Sequence, residues 1–269
     1  VLTGLLLPLL VGAVAIVLHW VPSDTLLQAS YGLRQRAGQL LAIMIGAVAM
    51  LGLGWIDDKH ELSPKMKFLG QLLIATLVAS AGVRITLFVP YPAVSYALTI
   101  LWILTLTNAF NFMDNMNGLC AGVGAVAAAS FASAAAGRGQ YLVTVIALMT
   151  CGALMGFVPH NYPKATAFLG DAGSHLTGYL LAVMAILPHF HSTSHPDTFA
   201  VLQPLFILAV PLLDLVSVVF IRWRLGKPFY IGDNNHFSHR LVRAGHSKSR
   251  AVLLLWFAAA SIAAIGMAL

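Results

Sequence analysis

Apolar residues gather along this chain into nine long stretches, roughly 1–20, 38–56, 68–89, 94–107, 119–137, 140–158, 172–188, 200–221 and 251–269, with short polar segments between them. A helix rises about 1.5 Å per residue, so about 20 apolar residues cross the hydrocarbon of a bilayer. Most of the stretches are close to that length. The stretch 94–107 reaches it only if its helix continues toward Asn111. Glycine and proline interrupt several of them, which membrane helices tolerate where neighbours satisfy the freed backbone groups. The pattern predicts an all-α, polytopic integral membrane protein, a single transmembrane domain over 1–269 with about nine transmembrane helices. The first stretch does not read as a signal peptide, because further spans follow it. The chain opens on Val1 inside one apolar run and closes on Leu269 inside another. From this we expect truncation at one or both ends, with ten or eleven spans in the complete chain.

Composition sharpens this picture. The chain is 59% hydrophobic and 9% charged, with a mean hydropathy of +0.86, where a soluble domain is about 25% charged. A cytosolic globular enzyme and a disordered chain are both excluded. Cys120 and Cys151 lie in apolar stretches and read as small hydrophobes. The net charge of +6 is distributed unevenly. The polar segments at about 57–67, 159–171 and 222–250 hold eleven of the fifteen Lys and Arg residues; Arg34, Arg36, Arg84 and Arg138 are the other four. The tip at about 108–118 goes with the first group. The positive-inside rule places that side in the cytoplasm. Basic residues between apolar runs suit an anionic lipid surface, and they lack the water-facing cluster that nucleic acid would require.

Seven of the nine acidic residues fall on the same side, among them Asp57, Asp58, Asp114, Asp171, Asp214 and Asp233. A carboxylate at a membrane helix end is costly unless it is hydrated, paired or bound to a cation. Three separate carboxylate segments at one face point to a hard divalent cation with a phosphorylated ligand. Mg²⁺ is commonly held by one or two carboxylates plus substrate phosphates. Asp57-Asp58 ends an apolar run; as an isolated pair it would read as a solvated helix end neutralised by Lys59. Asn108, Asn111 and Asn115 share nearly one helical face, with Asp114 three residues after Asn111. Amides there can orient a carboxylate, or bind phosphate or a base. Gly170-Asp171-Ala-Gly-Ser174 reads as a turn feeding a helix, whose free N–H groups would suit a phosphate.

The segment 222–250 carries His236, His239 and Arg240. If helical, the two histidines share a face. With Asp233 they would make only a partial zinc site, and the neighbouring Arg240 argues for an anion instead. His189, His191 and His195, on the opposite side, read as solvated surface. Asp214 lies toward the end of its span, either paired with Arg222 or Lys227 or orienting the loop.

Taken together, these motifs resemble the polyprenyl-phosphate N-acetylhexosamine-1-phosphate transferases, the glycosyltransferase family 4 type of membrane enzyme. The resemblance runs from about residue 40 to 245. It is carried by Asp57-Asp58 with Leu62, Lys67 and Gln71; by Asn108, Asn111, Asp114, Gly118 and Leu119; by Phe168-Leu-Gly-Asp171-Ala-Gly-Ser174; and by Asp214 with the loop from Gly226 to Arg240. The chain departs from the family pattern in two places. Where the family commonly reads Asp-Gly-Leu-Asp-Gly-Leu, this chain has Asp114-Asn-Met-Asn117-Gly-Leu119, so Asn117 stands for a usual second Asp. Where the family commonly reads His-x-His-His-Arg, this chain has His236-Phe-Ser238-His239-Arg240. The first departure removes a charge near the cation and bears on metal stoichiometry or donor choice.

The resemblance implies transfer of a sugar-1-phosphate from a UDP-sugar to undecaprenyl phosphate, with release of UMP at the cytoplasmic face of a bacterial inner membrane; UDP-N-acetylglucosamine is the expected donor, with another UDP-N-acetylhexosamine or UDP-N-acetylmuramoyl-pentapeptide as the alternative. It implies Mg²⁺, with Mn²⁺ as a substitute, on Asp171 and Asp114. Asp57 or Asp58 would position or deprotonate the acceptor phosphate. Asp114 and Asn111 would orient the cation or the nucleotide, with Asn108, Asn117 and Asp214 also at the substrate. Lys67 would neutralise a phosphate, and His236, His239 and Arg240 would grip the diphosphate or the sugar. Undecaprenyl phosphate, the UDP-sugar and membrane lipids are the expected partners, and a homodimer is allowed for. Two other classes compete. A secondary transporter would show inverted repeats and polar groups near the midplane; a scaffold would lack the convergent Asp, Asn, His and Arg set.

Overall fold

The computed structural model describes residues 23–86, 91–187, 202–228 and 234–268, with side chains from residue 37 onward. The apolar stretch 1–20, the His189–His195 group and Asp233 lie outside the described residues. Among those described there are ten helices and no strand: α1 Ser23–His60, α2 Pro64–Ser80, α3 Pro92–Met113, α4 Leu119–Ala136, α5 Tyr141–Asn161, α6 Gly170–Ile186, α7 Gln203–Ile207, α8 Ala209–Arg224, α9 Phe237–Arg243 and α10 Lys248–Ala268. The protein is an all-α, multi-pass membrane protein. Five of the described helices are long and apolar enough to cross a bilayer: Ala37–His60 of α1, then α3, α4, α5 and α10. Nine spans were expected; the first, 1–20, lies outside the described residues, and two of the others are shortened or broken for local reasons.

Helix α2 stops at Ser80, well before the apolar run ends at 89, as the chain turns through Gly82 with φ 92°. The run 200–221 is broken into α7 and α8 at Leu208. Pro211 lacks the N–H that would bond the Ile207 carbonyl, and its ring crowds that carbonyl. The run 94–107 does continue, as α3, through Asn111 to Met113. Residues 23–37, expected to include an extramembrane loop with Arg34 and Arg36, are instead part of the continuous helix α1. The 222–250 segment is not all loop, because it contains α9 and the start of α10.

Helices α4 and α6 bury most of their residues, and the other helices wrap them. Helices α1, α3 and α4 pack on α6, while α5 and α10 pack on α4. Helix α4 is largely Ala, Gly and Ser, and small side chains let membrane helices approach closely. Polar tips inside the bundle find backbone partners: Tyr179 donates its hydroxyl to the Ile43 carbonyl at 3.0 Å, and Trp102 Nε1 donates to the Ala182 carbonyl at 3.2 Å. Leu73, Leu101, Tyr141 and Phe257 point outward, as a lipid-facing surface requires.

Successive helices alternate in direction, so one end of the bundle collects the last turns of α1, α3 and α5 and the first turns of α2, α4 and α6. Each turn at this end has its own chemistry. After α1, Glu61 takes a left-handed φ of 46°. The Asp57 carboxylate accepts the Leu62 N–H at 2.8 Å, closing that turn. Ser63 caps α2 by accepting the Met66 N–H, with Pro64 at the first helical position. Helix α4 starts after Gly118, whose N–H is bonded to Asn161 of α5.

Candidate active site

Four helices bring one functional side chain each to this end of the bundle. The Lys67 ammonium of α2 lies 2.7 Å from Asp57 Oδ2 of α1 and 2.7 Å from Asp171 Oδ2 of α6. It also donates to Asn111 Oδ1 of α3 at 3.2 Å. The Asn111 amide in turn donates to Asp171 Oδ1 at 2.6 Å and to Ser174 Oγ at 3.1 Å. Asp57 is buried, whereas Lys67 and Asp171 keep 18% and 32% of their side chains exposed. The cluster is therefore seated in protein on one side and open on the other.

Asp58 does a different job from Asp57. Its Oδ1 accepts the Asp171 N–H at 2.8 Å and its Oδ2 accepts the Ala172 N–H at 3.0 Å. Two of the N–H groups expected to be free for a phosphate are thus already taken by the Asp58 carboxylate. It also sits at the positive end of the α6 dipole. Two glycines make the approach possible. A Cβ on Gly170 would lie 2.8 Å from Asp58 Oδ2, and its φ is 64°. A Cβ on Gly54, one turn before Asp58, would run into the Asp171 carbonyl.

Asp114 follows the last turn of α3. Burial pushes its carboxyl up to about 7, the nearby Asp171 charge adds to this, and the Gly170 N–H partly offsets it. Asn115 accepts a hydrogen bond from Ser238 Oγ at 2.6 Å, which ties α9 to the turn after α3. Both groups sit at or beside the positions where the chain departs from the family pattern. Asn117 is exposed and donates to the Pro163 carbonyl at 3.3 Å. The described bonds of Asn108 run inward, to Gln71 and to the Leu104 carbonyl, rather than to the Lys67 cluster.

A second group flanks the first. The His236 Nδ1 is 2.7 Å from Asp214 Oδ2, and Asp214 Oδ1 accepts the Phe237 N–H at 2.7 Å. Asp214 therefore anchors the start of α9, the loop-orienting role among those expected for it. His236 precedes the first helical residue of α9 and still meets the His239 ring, with centroids 6.4 Å apart. The two rings lie near each other as predicted. Its other ring neighbour is Phe112, next to Asn111, at 6.3 Å. The His239 imidazole is pushed toward its neutral form by burial, then by His236, Arg243 and Lys248. Arg240 lies 5.6 Å from the Phe237 ring.

Among the described residues no three His, Cys, Asp or Glu side chains form a ready-made metal cluster. The donor chemistry nonetheless suits Mg²⁺ or Mn²⁺. Asp57 Oδ2, Asp171 Oδ2 and Asn111 Oδ1 converge on one position around a cationic group. Hard oxygens in that number, completed by phosphate and water, are what Mg²⁺ prefers.

Sequence reasoning missed His175 and gave Gln71 no role. Both are buried, one helical turn from Asp171 and Lys67 respectively. That i+4 spacing carries meaning only once α2, α3 and α6 are seen in contact.

The family model for glycosyl transferase family 4 matches residues 40–189. The chain belongs to glycosyl transferase family 4. Every residue of the Lys67 cluster lies within the matched segment. This family 4 chain is 33% identical over 226 residues to a Bacillus subtilis (strain 168) protein named "Probable undecaprenyl-phosphate N-acetylglucosaminyl 1-phosphate transferase", covering 81% of this chain and 62% of that protein. It is 32% identical over 241 residues to the decaprenyl-phosphate N-acetylglucosaminephosphotransferase of Mycobacterium tuberculosis (strain ATCC 25618 / H37Rv), covering 80% and 60%. It is 27% identical over 237 residues to the undecaprenyl-phosphate alpha-N-acetylglucosaminyl 1-phosphate transferase of Escherichia coli (strain K12), covering 82% and 63%. The chain thus spans a little over three-fifths of the length of these curated relatives.

Proposed function

We propose that this protein transfers N-acetylglucosamine-1-phosphate from UDP-N-acetylglucosamine to undecaprenyl phosphate, at the cytoplasmic face of a bacterial inner membrane. The observation that carries the proposal is the Lys67 ammonium held between Asp57 and Asp171 beside Asn111, at the bundle end that also gathers Asp214, His236 and Arg240. The names of the relatives support the donor and acceptor, and the excess of Lys and Arg on this side supports the orientation. In the reaction an oxygen of the acceptor phosphate attacks the sugar-bearing phosphorus of the donor. The bond to the bridging oxygen breaks, and UMP leaves with that oxygen.

Two anionic phosphates must come together, so the protein must screen charge and fix geometry. Lys67 supplies a cation that can follow a phosphate oxygen. Asp57, buried and held by the Leu62 N–H, faces the acceptor and orients it. A phosphate monoester has a second pKa near 6, so little base strength is asked of that carboxylate. Direct attack is the simpler path, because it needs no second nucleophile. Asp58 holds Asp171 through the start of α6 rather than meeting substrate. His236 is fixed in orientation by Asp214, and with His239 and Arg240 it offers donors to the donor diphosphate or sugar. Asp171 and Asn111 would hold Mg²⁺, with Asp114 near them, and the ion would screen the diphosphate charge.

Purified protein incubated with undecaprenyl phosphate, Mg²⁺ and a panel of UDP-sugars tests this. UMP release with UDP-N-acetylglucosamine, lost in EDTA and in Asp171→Asn, is expected. Release with a different UDP-N-acetylhexosamine alone would keep the chemistry and change the donor. Silence across the panel from folded protein would refute the proposal.

A further inference from the structure

One helical turn inward of the Lys67 cluster lies a second polar layer, in which only Asn108 carried an expected role. Gln71 is four residues after Lys67, Asn108 three before Asn111 and His175 four after Asp171. The same three helices, α2, α3 and α6, thus contribute one residue each to both layers. Gln71 and His175 are buried. The Asn108 amide donates to Gln71 Oε1 at 2.7 Å and to the Leu104 carbonyl at 2.8 Å. Gln71 Nε2 lies 3.3 Å from His175 Nε2.

The direction of this chain is fixed by a backbone group. The Leu104 carbonyl can only accept, so the Asn108 NH₂ faces it, and the same NH₂ faces the Gln71 oxygen. The Gln71 NH₂ must then point at His175, whose Nε2 must accept. The ring is neutral in this arrangement, with its proton on Nδ1. That Nδ1 is buried and has no hydrogen-bond partner. Leaving a buried polar atom unpartnered is costly, and an apolar side chain of similar shape would avoid the cost. The imidazole needs a reason to be there, and its other nitrogen provides one.

We infer that His175, Gln71 and Asn108 form a positioning layer that sets the axial register of α2, α3 and α6, and so holds Lys67, Asn111 and Asp171 at hydrogen-bonding distance around the cation position. Helix rise is 1.5 Å per residue, so a slip of less than one residue along any of these axes would open the contacts in the outer layer. Functional constellations tolerate only about 0.5 Å of such error. Lys67 has a long, flexible side chain and can follow a displaced helix. Asn111 and Asp171 are short and cannot, so the loss falls first on the oxygens that would hold the cation.

The inference rests on the transferase reading for its rate measurement and on the proposed cation position for its binding measurement. In the full chain, His175→Leu removes the acceptor, His175→Gln keeps an oxygen that Gln71 can reach, and Gln71→Met breaks the same contact from α2. Mn²⁺ binding followed by electron paramagnetic resonance without substrate, and kcat and KM for UMP release, are the readouts. His175→Leu and Gln71→Met are expected to weaken Mn²⁺ binding about 10-fold and lower kcat at least 10-fold, with KM for the UDP-sugar changed less. His175→Gln should recover most of both, and the double variant should be no worse than either single one. Wild-type Mn²⁺ binding and kcat in Gln71→Met would overturn the inference, whether or not His175→Leu folds. Equal losses in His175→Leu and His175→Gln would overturn it as well. Wild-type protein that binds Mn²⁺ but releases no UMP would count against the transferase reading alone.

Discussion

Replacing Lys67 by methionine keeps the volume of the stem and removes the ammonium. Asp57 Oδ2 and Asp171 Oδ2, each 2.7 Å from that ammonium, then face each other with no counter-charge between them. Breaking a fully buried ion pair by removing one partner costs about 3–5 kcal/mol. Here Asp57 is buried while Asp171 is 32% exposed, so water recovers part of the loss. A cost of about 2–3 kcal/mol in metal-free protein follows, or about 5–10 °C in Tm for a chain of this size. A divalent cation can take the place of the ammonium. Mg²⁺ should therefore raise the Tm of Lys67→Met by several degrees more than that of the wild type. Activity should not return with stability, because a cation held between the two carboxylates cannot follow the phosphate as the ammonium does; removal of one such charge contact costs about 10²–10³ in kcat. Thermal unfolding in detergent with EDTA and with Mg²⁺, beside UMP release, checks both parts. If Lys67→Met melts with the wild type in EDTA, or gains no more from Mg²⁺ than the wild type does, the electrostatic account of the cluster is wrong.

Other perturbations separate the roles further. Asp58→Ala frees the Asp171 and Ala172 N–H groups; a loss of about 1–2 kcal/mol is expected, with kcat lowered because Asp171 is no longer held. Denaturation and UMP release would show it, and full activity would return Asp58 to a purely local role. Ser238→Ala removes the 2.6 Å bond to Asn115 and should cost about 1 kcal/mol, with Asn115→Ala adding little on top; additive losses in a double-mutant cycle would contradict that pairing. The Asp114 carboxyl, near 7 in the folded protein against about 4 in an unfolded chain, favours folding in its protonated form. Its contribution is complete below about pH 4 and is lost as pH rises through 7. Metal-free protein should therefore lose Tm between about pH 4 and 7 through this group, and Asp114→Asn should flatten that slope. An unchanged slope in Asp114→Asn would show that another group titrates there.

Much of the site was legible because membrane chemistry makes polar residues expensive. Asp57, Lys67, Asn111 and Asp171 stand out in an apolar chain, and alternating helix direction puts them at one end whatever the details of packing. The spans were harder to read, since hydropathy does not register where Pro211 withholds a hydrogen bond or where Gly82 turns the chain. Periodicity likewise could not tell Asp57 from Asp58. The two are about 100° apart on one helix, and only the position of α6 decides that one meets an ammonium while the other meets backbone N–H groups. The expectation that the α6 N-terminus would be free for phosphate failed for the same reason, since the group that fills it comes from 113 residues earlier in the chain. His175 was invisible for a different reason. A lone histidine in an apolar run reads as a satisfied core residue until Gln71 and Asn108 are seen to share its layer, and that layer exists only once α2, α3 and α6 are in contact. The residues around the cation position could be found by their cost in a membrane, whereas those that hold them in register could be found only by their partners.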